Sequence, residues 1–187
     1  MRSLTRLAFL TVAMSVGLVA AAAGQQPTVV ADLLQDLNDV ESKLTQLARA
    51  IPADKYDWRP GEGVRSVGEV FKHVAADNWL LASAAGSPAP PATGIKHEDY
   101  NTAGAYEKRQ LGRDAIVTEL EQSLAHFMAA VSGTPAARLG SKTQVFGGEY
   151  TVQQLLIIGT THLHEHLGQM IAYARSVGVV PPWSRGQ

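Results

Sequence analysis

Residues 151–178 read TVQQLLIIGTTHLHEHLGQMIAYARSVG. Val152, Leu155, Gly159, His162, His166, Gln169 and Tyr173 recur at steps of three and four, and Leu156, Leu163, Leu167 and Met170 form a second stripe beside them. That is the period of a helix packed along one broad side. Thr151 with Gln154 three positions on makes a capping box at its start, and Gly178 followed by Pro181 stops it. The spacing predicts a helix to about Val177.

Three of the six histidines of the chain fall within the five positions 162–166 of this helix. At about 100° per residue, His162 and His166 stand about 40° apart on the seam, whereas His164 points about 200° away from His162. Only the first two can converge on one ion. Set between apolar stripes they are desolvated, which favours the neutral, metal-binding imidazole, and burying both without a partner is costly.

Working outward, three further helices share this spacing. Val30, Leu33, Leu37, Val40, Leu44, Leu47 and Ile51 give a long first helix. A Pro/Gly-rich loop follows, and Ser66 with Glu69 caps a second helix striped by Val67, Val70, Val74 and Leu81, which AGSPAPPATG (85–94) ends. Residues 95–111 show no clear period and suggest one irregular turn. Val117, Leu120, Leu124, Phe127 and Val131 line a third helix stopped by Gly133 and Pro135, and a short hairpin is expected at Gly147 and Gly148. The fold class is all-α, a four-helix bundle with long crossover connections.

A bundle-core metal site needs a ligand from a facing helix. His73 beside the Val70/Val74 stripe is the candidate, with Asp77 one turn on either to accept the other ring N–H of His73 or to reach the ion itself. Three neutral imidazoles from His73, His162 and His166 suit a divalent metal, zinc or nickel first and iron or manganese as alternatives, and leave a position for water. Gln169 is expected to orient a ligand or water. His164 is read as a surface residue, His97 and His126 as unsuited to ligation, and Trp58, Trp79 and Trp183 as packing residues. His162–His166 also spells H-x-x-E-H, the inverted zinc-peptidase pattern with Glu165 as base. Only 21 residues follow His166, too few for the distant acidic ligand of that fold, so the peptidase reading is rejected. No nucleophile or proton shuttle is identifiable.

The N-terminus places Arg2 and Arg6 before an apolar run from Leu7 to about Val19 and then small residues. This is the layout of a secretory signal peptide, assigned to residues 1–24, with residues 25–187 as the domain. A periplasmic or secreted location follows, with no stable membrane anchor after cleavage. Removing Arg2 and Arg6 from the 16 basic residues leaves 14 against 17 acidic ones, a charge of −3. Such a balance offers nothing to nucleic acid. The chain has no cysteine, so neither disulfides nor thiol chemistry of its own are available. Apolar residues on the first helix and in VVPPW (179–183) offer a surface for a homodimer.

Two stretches, DWRPGEGVRSVGEVFKHVA (57–75) and HLHEHLGQMIAYARSVGVVPPW (162–183), together resemble the DinB superfamily, including its YfiT-like metalloproteins and related thiol-dependent transferases. The resemblance implies a four-helix bundle, often dimeric, with metal-binding histidines at His73, His162 and His166. Many members carry a basic residue after the last histidine, where this chain has Leu167. The function expected is that of a metal-dependent hydrolase using a water at a three-histidine site. A non-catalytic module binding metal or a small ligand is the alternative, and a thiol-dependent transferase is less favoured because the thiols concerned are cytoplasmic.

Overall fold

Thr28 opens the first helix, its hydroxyl accepting from the Ala31 amide at 3.2 Å. The computed structural model describes residues 28–186; the signal segment read at residues 1–24 lies outside them. Helix α1 (Val29–Ala50) turns Leu37, Val40, Leu44 and Leu47 fully inward. Helix α2 (Val67–Ala84) begins at the Ser66–Glu69 capping box, the Ser66 amide donating to Glu69 Oε2 at 2.7 Å and the Glu69 amide to Ser66 Oγ at 3.3 Å. A reciprocal cap of this kind contributes roughly 0.5–2 kcal/mol. It also fixes where His73 stands along the axis.

The stripe read for α2 understates its burial, since only Glu69 and Ser83 among its residues escape the interior. Gly68, Ala75, Ala76, Ala82 and Ala84 are small enough to let neighbours approach from all sides, which makes α2 the central rod.

Residues 101–107, left without a clear period, form the short helix α3 (Asn101–Glu107). Its buried Tyr106 hydroxyl donates to Glu119, and Arg109 grips the same carboxylate at 2.7 and 3.0 Å, tying α3 to helix α4 (Arg113–Ser132). Strands β1 (Lys142–Val145) and β2 (Gly148–Thr151) pair antiparallel with Val145 opposite Gly148. The turn is therefore Phe146–Gly147, one position earlier than the glycine pair suggested. Both residues have positive φ, 54° and 73°, as a type I′ hairpin requires. Helix α5 (Val152–Ser176) starts from the Thr151–Gln154 capping box.

Helix α1 packs against α4 and α5, and α2 packs against the same two. Consecutive helices α1 and α2 therefore face each other across the bundle, as do α4 and α5. A diagonal step cannot be made by a tight turn, which is the physical reason for the long connections 51–66 and 133–151. Gly159 of α5 sits where a Cβ would come within 2.2 Å of the Phe127 ring, so the interior closes only because that side chain is absent. Trp79 is buried, and Trp58 and Trp183 pack partly buried against the core. Among the described residues no helix is long and apolar enough to cross a membrane.

Candidate metal centre

Helices α2 and α5 are neighbours, and they bring His73, His162 and His166 together. The imidazole centroids lie 5.1 Å (73–162), 4.8 Å (73–166) and 4.4 Å (162–166) apart, each pair edge to face. One ligand nitrogen from each falls within 4.8 Å of the others. His164 points outward as its phase requires, with Nε2 2.7 Å from Asp36 on α1. Glu165 is exposed. His97 lies 3.2 Å from Ser83 Oγ and His126 3.1 Å from the Ser87 carbonyl oxygen, both outside the cluster.

Hydrogen bonding decides which nitrogens face inward. Tyr173 has one hydroxyl proton, directed at the Arg65 carbonyl at 3.2 Å, so it accepts from Gln169 Nε2 at 3.0 Å. The Gln169 amide oxygen then faces His166 Nδ1 at 2.8 Å, which makes that nitrogen the N–H. The His166 Nε2 lone pair is left for the centre. Gln169 thus orients the His166 ring.

His73 is fixed by a residue the spacing did not single out. Glu107 Oε1 lies 2.9 Å from His73 Nδ1, and Oε2 lies 3.1 Å from Arg65 Nη2. Burial opposes the charge on Glu107, but the hydrogen bond to His73 and the nearby cation outweigh it and hold the carboxyl below its ordinary range. An ionised carboxylate only accepts, so His73 Nδ1 carries the proton and Nε2 faces the centre. Of the two roles open to Asp77, accepting the outer N–H of His73 is therefore taken by Glu107. The sequence signal for Glu107 is slight: Ala103 and Tyr106 give α3 a single buried face too short to register as a period.

Asp77 is on the inner side. Its Oδ2 lies 3.3 Å from His162 Nε2 and 3.7 Å from His73 Nε2, and those two nitrogens are 3.2 Å apart. Two ligands of one tetrahedral ion with bonds of about 2.0–2.1 Å lie about 3.3 Å apart, so these separations suit a shared cation. The donor set agrees with this. Asp77 is 7% exposed, its Oδ1 has no hydrogen-bond partner, and neither does His162 Nδ1.

Burial raises the Asp77 carboxyl to about 6 despite the nearby His73, and lowers His162 to about 3, aided by the neighbouring imidazoles. Burial also lowers His166, against the hydrogen bond that its Nδ1–H donates to Gln169. Burial thus keeps both imidazoles neutral, the form that binds metal, and leaves the Asp77 carboxylate poorly compensated. A divalent cation at the convergence would supply the carboxylate's counter-charge, and neutral imidazoles with one carboxylate suit zinc, nickel, iron or manganese alike.

Beside the centre is a cavity of about 550 Å³ whose lining includes Arg59, Arg65, Lys72, Tyr100, Glu107 and Lys108. Glu107 and Arg65 thus belong both to the cavity and to the support of His73.

The sequence profile of the DinB superfamily matches residues 36–170. No curated protein is detectably similar in sequence. Solved structures share the fold. A DinB-like protein from Bacillus subtilis is 19% identical with a TM-score of 0.58, over 79% of this chain and 92% of that one. YfiT from Bacillus subtilis, described as a probable metal-dependent hydrolase with an unusual four-helix bundle topology, is 14% identical with a TM-score of 0.63, over 80% and 88%. A mycothiol-dependent maleylpyruvate isomerase is 14% identical with a TM-score of 0.61, over 76% of this chain but 61% of that one.

Proposed function

The chain belongs to the DinB superfamily, and on that premise we propose that it is a divalent-metal protein acting as a hydrolase outside the cytoplasm. The observation that carries the reading is the convergence of three imidazole nitrogens beside the buried Asp77 carboxylate, whose Oδ1 has no hydrogen-bond partner. His73, His162 and His166 would hold the ion, and the chemistry it would supply there is polarisation of an electrophile and a lowered pKa for a bound water.

The protein's own groups supply the rest. Glu107 and Gln169 keep the His73 and His166 rings in the tautomer that presents Nε2. Asp77 Oδ1, which no protein donor occupies, is the atom on which a proton from an attacking water is held.

Hydrolysis is favoured over thiol transfer because the signal segment read at residues 1–24 takes the chain away from cytoplasmic thiols. YfiT, which shares the fold, is described as a probable metal-dependent hydrolase, which supports the same reading. The test is metal analysis of the tag-free protein followed by turnover on ester, lactone and phosphoester panels with and without chelator. Metal-dependent turnover that His166→Ala abolishes is expected. Bound metal with no turnover on any panel would favour the non-catalytic module.

A further inference from the structure

The cavity beside the centre is more basic than the chain as a whole. Four cationic side chains line it, Arg59, Arg65, Lys72 and Lys108, against the carboxylates Glu69 and Glu107. Arg59 pairs with Glu69 at 3.2 Å and Arg65 with Glu107 at 3.1 Å, which accounts for both acids. Neither Lys72 nor Lys108 forms an ion pair with a carboxylate among the described residues, although the Lys72 charge is near enough to Glu69 to help hold that carboxyl below its ordinary range.

Lys72 is the informative one. It stands one position before His73 and is only 9% exposed, and its ammonium has a single protein acceptor, the Arg109 carbonyl at 2.8 Å. An ammonium carries three N–H donors, so two of those on Lys72 have no protein acceptor among the described residues. Lys108, exposed just past the end of α3, contributes to the same cavity a second cation that pairs with no carboxylate among the described residues. Its volume of about 550 Å³ is that of a small-molecule site.

We propose that this cavity binds the oxyanion, carboxylate or phosphate, of a small acidic substrate, with Lys72 and Lys108 as the charge-bearing contacts. The inference rests on the hydrolytic reading and narrows it to acidic substrates. Tyr100, half exposed on the cavity wall, gives the bound molecule an aromatic face and a hydroxyl. Glu107 carries the cavity wall to His73, so an anion seated there lies beside the metal centre.

The probes are inorganic phosphate and malonate, titrated calorimetrically at low ionic strength into the metal-loaded full-length protein. Saturable one-to-one binding of at least one probe is expected, and whichever binds more tightly identifies the anion type. Lys72→Met should weaken it about tenfold or more, and the exposed Lys108→Gln, which leaves folding intact, several-fold. Metal content should be unchanged in both. No saturable binding of either probe, or equal binding by both variants, overturns the proposal.

The same titration into His166→Ala separates the two readings. Lysine-dependent binding that persists without metal supports the anion site whatever becomes of the hydrolase. Binding that disappears with the metal and ignores the lysines means that the anion is merely a ligand of the ion, and the proposal fails.

Discussion

Glu107 Oε1 lies 2.9 Å from His73 Nδ1, although the two are 34 residues apart and on different helices. Arg65 stands behind both supports of the centre: its guanidinium holds Glu107, and its carbonyl receives the Tyr173 hydroxyl that ends the His166–Gln169 chain. One loop residue at the mouth of α2 thus links the orientation of rings on two helices.

Glu107→Gln should therefore weaken metal binding about 10- to 100-fold, the usual cost of losing a partner behind a ligand, while leaving the fold intact. Chelator competition with circular dichroism measures both. Unchanged metal affinity would show that the carboxylate does not support His73.

Tyr106 and Arg109 hold α3, and with it Glu107, onto α4 through Glu119. Glu119→Gln lies outside the centre and should still lower metal affinity, by less than Glu107→Gln does. Hydrogen exchange of residues 101–107 should rise in the same variant. Faster exchange without any change in affinity would separate the brace from the site.

In the metal-free protein, stability should fall as pH drops from 6.5 to 5. The unfolded chain takes up protons on His162 and His166 near their ordinary 6.5, whereas the folded chain resists them, His162 down to about 3. The unfolded state is therefore favoured as pH falls. Asp77 acts in the opposite sense. Raised to about 6 from 3.8, it holds a proton in the folded chain that the unfolded chain has lost between those values. Two imidazoles against one carboxylate leave the downward trend. Thermal melts in chelator across that range test it, and a melting temperature that rises steadily toward pH 5 would contradict it.

Gly159→Ala should destabilise the bundle by roughly 1–3 kcal/mol, because the new methyl meets the fully buried Phe127 ring. Adding Phe127→Leu should recover part of that loss relative to Phe127→Leu alone, a coupling that denaturant titration of the double-mutant cycle reads out. Strict additivity would mean that the two residues do not touch.

The helical seams and both capping boxes were legible because periodicity and caps are local signals. His162 and His166 could be paired, and His164 set aside, from helical phase alone. Placing His73 opposite them required the assumption that α2 and α5 are neighbours, which the packing of α2 against α5 satisfies. Glu107 was not legible in this way, nor was the choice between the two places read for Asp77. Glu107 sits on a seven-residue helix, less than the period needs to declare itself, and the side of an imidazole that a carboxylate meets is a tertiary property. The near-total burial of α2 was likewise hidden, because alanine and glycine mark no stripe.

The most direct test of the central claim is the metal content, at equilibrium with one equivalent of zinc or nickel, of tag-free His73→Ala, His162→Ala, His166→Ala and His164→Ala. The first three should each lose the bound ion, and His164→Ala should retain it in full. Equal retention in all four, or equal loss in all four, would contradict a centre built from those three rings.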